Sequence, residues 1–157
     1  MSRPLFGDWR VGEELQPLAF PVTRTAIVAS AFATRDYSLL HHDEHYAREQ
    51  AGLPGIFLNS PAIQALFGRF LGERFGPRAR LARLRVALQA SVHAGVCATV
   101  SGHVTVLSVD ALGRGWAEVA MTLGDGERCC VRAAARLAIP VDGSDDPWQR
   151  EAEDWQP

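Results

Sequence analysis

The chain carries no surplus of positive charge: 16 basic residues stand against 18 acidic ones, for a formal charge of -2. A phosphate backbone needs a basic face to neutralise it, so nucleic acid is not an expected partner. No window approaches the roughly 20 apolar residues that cross a bilayer. The first residues, MSRPLFGDWRVGEELQP, have neither the basic start nor the apolar run of a secretory signal. No membrane association is therefore expected, and a cytoplasmic location is. Cysteine is scarce and odd in number, with Cys97, Cys129 and Cys130. Neighbours such as Cys129 and Cys130 point to opposite faces of a strand, so neither a disulfide framework nor a metal knuckle follows, and buried thiols are expected. Lysine is absent, all 16 basic residues being arginine, a bias to which no function attaches.

What is present is the composition of an ordinary globular domain: 157 residues, 47% apolar and 22% charged. A single domain is expected over 1–140, with an acidic tail at 141–157 that is either disordered or an arm laid on a partner. Residues 1–23, with scattered Pro and Gly beside Trp9 and Val11, predict a leader wrapped on the surface. Residues 25–34 are nearly all small or apolar and fit a buried strand or a short helix equally well. Residues 39–50 are helix-compatible, with Ser38 as N-cap and a stop at Gly52 and Pro54. The clearest periodicity lies in NSPAIQALFGRFLGERFG, where Ile63, Leu66, Phe67, Phe70 and Leu71 share one helical face. Asn59 or Ser60 can cap this helix, Pro61 suits its first turn, and Gly76-Pro77 ends it. Gly68 and Gly72 would let another backbone approach closely.

Beyond Pro77 the period becomes two. Leu84, Val86, Leu88, Ala90 and Val92 share one face, and Val96, Ala98, Val100, Val104 and Val106 another, which predicts a hairpin with its turn at 91–95. Two more strands follow, WAEVAMTL and RCCVRAAARLAIP. Four antiparallel strands after one apolar helix give an α+β domain in which a curved sheet wraps a long central helix.

The chemistry is sought in RDYSLLHHD. Asp36 and His41 stand five apart, the aspartate on a loop and the imidazole in a first helical turn, so a bend can bring both to one point. The positive end of the helix dipole would keep His41 neutral. A carboxylate and a neutral imidazole converging on one water suit hydration or dehydration. Amides near Asn59 and Ser60, unsatisfied at the start of the long helix, can hold an oxyanion. Plainer readings stand beside these. Asp36 can be a turn or capping aspartate, and His41 with His45 can be an i, i+4 zinc pair. His42 and His45 read as surface residues, and His93 and His103 as structural ones.

The block ATRDYSLLHHDEHYAREQAGLPGIFLNSPAIQALFGRF resembles the signature region of the MaoC-like, hydratase 2 type of (R)-specific enoyl-CoA hydratase, a hotdog fold whose motif reads D-x-N-P-L-H followed by D-x-x-x-A. Asp36 and His41 match its catalytic pair, and Asp43 and Ala47 the positions that follow. GIFLN stands where the family has Gly-x-Ile-Ala-His-Gly, which implies that the Asn59 backbone amide is the oxyanion donor. The sequence departs from the pattern at Ser38-Leu39 in place of Asn-Pro and at Asn59 in place of glycine. A serine with which many members orient the aspartate has no counterpart at Leu66, Phe67 or Gly68. RDYSLLHHD with IFLN is similar to the small hotdog subunit of bacterial steroid side-chain enoyl-CoA hydratases. That likeness implies a bulky acyl-CoA substrate and a heteromer with a second MaoC-like subunit, and the open sheet edge and helix face of a single hotdog make a homodimer the other expected assembly.

The resemblance implies that Asp36 and His41 activate water for addition to a trans-2-enoyl thioester, giving a 3-hydroxyacyl-CoA. Phe57, Ile63, Leu66 and Phe67 would line the acyl tunnel, and Arg78, Arg80 and Arg83 are candidates for the CoA phosphates. No metal and no cofactor are implied, CoA being part of the substrate. A catalytically idle subunit shaping a partner's tunnel and a hotdog thioesterase are the alternatives.

Overall fold

The stripe Ile63, Leu66, Phe67, Phe70 and Leu71 does form one buried helix face, on helix α2 (Ser60–Phe75). The computed structural model describes residues 4–151 and 155. Around α2 lie a shorter helix, α1 (Arg24–Ala33), and strands β1 (Glu14–Pro21), β2 (Arg80–Leu88), β3 (Cys97–Val109), β4 (Gly115–Gly124) and β5 (Cys129–Ile139). The strands make one antiparallel sheet in the order β1-β3-β4-β5-β2. Its inner face supplies Val100, Val104, Val119, Met121, Leu123 and Leu137 to the same core as α2. This is the α+β hotdog arrangement, a long helix packed on a curved sheet.

Several local expectations are corrected. The supposed surface leader contains β1, an edge strand in which Leu15 and Leu18 are buried. Its prolines hid it, yet Pro is tolerated on an edge. The register slips between Leu15 and Leu18, and the Arg74 guanidinium of α2 collects the Gln16 and Pro17 carbonyls at 2.7 and 3.2 Å. Residues 25–34, left open between strand and helix, form α1, capped by Thr23 accepting the Ala26 amide at 3.0 Å. The expected helix over 39–50 is broken into a 3-10 turn, Leu39–His41, and a π turn, Tyr46–Gln50. Ser38 makes no side-chain cap, and Asp43 accepts the Tyr46 amide instead at 2.9 Å.

The hairpin joining β2 to β3 does not exist. Strand β2 pairs with β5 at one edge of the sheet, and β3 lies between β1 and β4. The expected turn is a crossing segment: Leu58 donates to the Val92 carbonyl at 3.0 Å and Phe57 bridges to His93. Among the described residues nothing lies within 4 Å of where a side chain would start at Gly68 or Gly72. A close approach is found instead at Gly102 of β3, where Phe70 and Met121 fill the space that a side chain would take. The described part of the tail is laid on its own domain. Arg78 donates to the carbonyls of Asp142, Gly143 and Asp145, Arg80 donates to Pro147 and Arg150 at 3.3 and 3.2 Å, and Trp155 stacks on Arg80 at 3.8 Å. Residues 152–154, 156 and 157 of that tail lie outside the described residues, as do 1–3.

Candidate active site

The position of Asp36 is set by how α1 ends. The Asp36 amide donates to the Ala31 carbonyl at 2.9 Å and the Arg35 amide to Phe32 at 3.1 Å, the paired bonds of a Schellman cap. That cap needs a left-handed residue, and Arg35 takes it at φ 56°, in a place where glycine is usual. The chain turns sharply there, and Asp36 leaves the turn facing His41.

His41 ends the 3-10 turn and is buried, while the Asp36 side chain keeps 32% of its exposure. Asp36 Oδ2 and His41 Nε2 lie 3.4 Å apart, so the bend joins the two residues as their spacing suggested. The helix-dipole argument for a neutral His41 has no basis in a three-residue turn. What decides the ring is Phe57, whose carbonyl lies 2.8 Å from Nδ1. A carbonyl only accepts, so Nδ1 carries a proton, and in the neutral ring Nε2 is then a lone pair facing a carboxylate. Two acceptors at that distance call for a shared donor, and one water can donate to both. Phe57 is held in turn by the bridge to His93, whose Nδ1 lies 3.0 Å from the Gly55 carbonyl. His93 is therefore structural.

The start of α2 completes the site. Of its first-turn donors, Pro61 has none, the Ala62 amide is taken by Asn59 Oδ1 at 3.2 Å, and the Ile63 amide by the Asn59 carbonyl at 3.2 Å. The Ser60 amide is left over, with no acceptor among the described residues. A cavity of about 330 Å³ opens here, lined by Asp36, His41, Phe57, Ser60, Ile63 and Leu88 among others. Ser60 lines the cavity and Asn59, at 1% exposure, is not among its lining residues; the Asn59 backbone amide, like that of Ser60, has no acceptor among the described residues. Of the four residues expected along the acyl tunnel, Phe57 and Ile63 line the cavity. Leu66 and Phe67 sit a turn further along α2, buried in the core and away from its wall.

Other expected groups lie elsewhere. Arg78 and Arg80 spend their donors on the tail, and Arg83 stands beside Arg85 and Glu118 on the open face of the sheet. His41 and His45 do not share a regular helix, and no three His, Cys, Asp or Glu residues among those described cluster as a metal site. His42 is half-buried and edge-on to Phe32 at 5.7 Å. Sequence reasoning missed the side chain of Asn59. Its Nδ2 donates to Thr34 Oγ1 at 2.7 Å and to Asp36 Oδ2 at 3.1 Å, and the one readable signal was a capping residue spaced from Asp36 by two elements.

A carboxylate and an imidazole on one cavity wall, a spare helix amide on another and a hotdog frame behind them define a hydratase-like site of the MaoC-like class. No family model matches the chain. Over 131 residues it is 32% identical to the 3-oxo-4,17-pregnadiene-20-carboxyl-CoA hydratase beta subunit of Mycobacterium tuberculosis, covering 80% of this chain and 96% of that one. In three dimensions it is similar to a chain of the ChsH1-ChsH2 complex from M. tuberculosis, with a TM-score of 0.76 and 28% identity over 83% of this chain and 98% of that one. The (R)-hydratase from A. caviae involved in PHA biosynthesis shares the fold at a TM-score of 0.75 and 21% identity, over 83% and 97% of the two chains. The chain belongs to the MaoC-like hotdog family of hydratases and dehydratases.

Proposed function

We propose that this chain is an enoyl-CoA hydratase subunit, a lyase that adds water reversibly to a trans-2-enoyl-CoA and yields the 3-hydroxyacyl-CoA. The observation that carries the reading is the pair of facing acceptors, His41 Nε2 and Asp36 Oδ2 at 3.4 Å, beside the unpaired Ser60 amide. A water held by both acceptors loses a proton to the dyad as its oxygen bonds to C3. The electrons of the C2–C3 double bond move toward the thioester, whose oxygen gains enolate charge against the Ser60 N–H. One such donor lowers the barrier by about 3–4 kcal/mol. The dyad then returns a proton to C2, and the enzyme is restored with no cofactor consumed.

The name of the mycobacterial relative supports a bulky steroid side-chain acyl group and a second MaoC-like chain as partner. An open sheet edge at β2, next to cavity residue Leu88, suits such a partner. The test is loss of enoyl absorbance with a short trans-2-enoyl-CoA and with a steroid side-chain enoyl-CoA. Wild type and Asp36→Asn are compared, each alone and after co-expression with a MaoC-like partner. Hydration that Asp36→Asn abolishes is expected. Unchanged hydration in a complex carrying Asp36→Asn would make the chain an idle subunit, and release of free thiol would make it a thioesterase.

A further inference from the structure

Asn59 is buried at 1% exposure, yet no part of its side chain lacks a partner. Oδ1 accepts the Ala62 amide, while Nδ2 donates to Thr34 Oγ1 and to Asp36 Oδ2. The network fixes which end is which: a flipped amide would set NH2 against an N–H and oxygen against a carboxylate. Thr34 is equally committed. Its hydroxyl donates to the Ser30 carbonyl at 2.7 Å, so its oxygen can only accept from Asn59. The bonds therefore diverge from Asn59: one Nδ2 hydrogen goes to Thr34, which passes its own on to the Ser30 carbonyl of α1, and the other goes to the Asp36 carboxylate.

We infer that the Asn59 side chain is a positioning residue, which holds Asp36 Oδ2 against His41 by donating to it from the capped end of α2. The inference rests on the hydratase reading for its effect on turnover. Its geometry does not. Among the described residues the other donor to the Asp36 carboxylate is the Ser38 amide, on the opposite oxygen at a long 3.4 Å. Without Nδ2 the carboxylate is free to rotate, and the oxygen facing Nε2 loses its anchor. His41 is the titratable side chain in contact with Asp36, so its ring reports the change.

Asn59→Ser keeps a capping oxygen but is too short to reach Asp36, and Asn59→Asp keeps the cap while setting carboxylate against carboxylate. Both should fold. Thr23→Ala is the control, since it deletes a helix cap at the start of α1, outside the site. The first readout is the NMR titration of the His41 ring in the free protein, which needs no substrate. Loss of a nearby carboxylate lowers a histidine midpoint, so Asn59→Ser should shift it in the same direction as Asp36→Asn, while Thr23→Ala leaves it in place. The second readout is turnover in the assembled enzyme: kcat should fall about 10- to 100-fold in Asn59→Ser with little change in KM. An unmoved His41 midpoint together with wild-type kcat in Asn59→Ser would overturn the inference and leave Asn59 a helix cap. A shifted midpoint in a protein that hydrates no enoyl-CoA would sustain the positioning role and sink the proposed function instead.

Discussion

Glycine to alanine is one substitution, but the structure gives it opposite signs at Gly102 and Gly72. Both positions have ordinary negative backbone angles, since neither is among the glycines with positive φ. On backbone entropy alone, alanine should stabilise each by about 0.5–1 kcal/mol. At Gly72, on the exposed side of α2, the new methyl meets nothing within 4 Å, and that gain should appear in full. At Gly102 the methyl would lie 2.8 Å from the Ala120 carbonyl oxygen, 2.9 Å from Met121 Cγ and 3.3 Å from Phe70 Cε1. The nearest obstacle is backbone in a central strand, paired on both sides through His103 and Ala134, so it cannot step aside. Overpacking of this kind costs about 1–3 kcal/mol, and three simultaneous contacts place it in the upper part of that range. The net loss is about 1–2 kcal/mol. At about 2–4 °C per kcal/mol for a domain of this size, Gly102→Ala should melt about 2–8 °C below wild type and Gly72→Ala about 1–4 °C above it. Circular-dichroism melts at one protein concentration, with urea unfolding at fixed temperature, measure both without confusion from assembly. A Gly102→Ala protein that melts at or above wild type would refute the claim that Phe70 is seated on a bare strand.

Arg35→Gly should stabilise the protein by about 1 kcal/mol, because glycine occupies the left-handed turn ahead of Asp36 without steric cost. A lower urea midpoint than wild type would contradict this. Asp125, in the β4–β5 turn, is held down to about 2 from an ordinary 3.8, chiefly by the Arg128 backbone amide and then by that of Glu127. A depressed carboxyl contributes stability above its unfolded value and loses it as pH falls through the folded one. Asp125→Ala should therefore unfold in less urea than wild type at pH 6, and the gap should close between about pH 4 and pH 2. A gap that stays constant with pH would show that the carboxylate charge plays no part.

Much of the frame was legible because it is written locally. The apolar stripe of α2 and the alternation of Ala98, Val100 and Val104 in β3 name the face that each element buries, and burial of that face follows. Pairing is not written locally. Leu84 and Val86 tell β2 which side is inward but not that its neighbour is β5, so the nearest strand in sequence was given the place that belongs to a distant one. Strand β1 was illegible for a related reason: Pro17 and a register slip interrupt its alternation, and only β3 on one side and Arg74 on the other make it a strand.

The site divides along the same line. Asp36 and His41 were legible through the resemblance of RDYSLLHHD to the family motif, residue type and spacing alone leaving Asp36 open as a capping aspartate, but the groups that make them a dyad are backbone and distant: an Arg35 in a glycine conformation, a Phe57 carbonyl fixed by the crossing segment, and the Asn59 amide. Those three come from the end of α1, from the strand-like stretch before α2, and from the cap of α2. The sheet determines where the last two sit, since the segment that bridges Phe57 to His93 runs on into β3, and Phe70 of α2 packs on Gly102 of the same strand. A disturbance at Gly102 should therefore reach Asp36 and His41 through the tilt of α2 while touching neither. Comparing the His41 titration in Gly102→Ala with its unchanged position in Gly72→Ala separates that coupling from a general loss of stability.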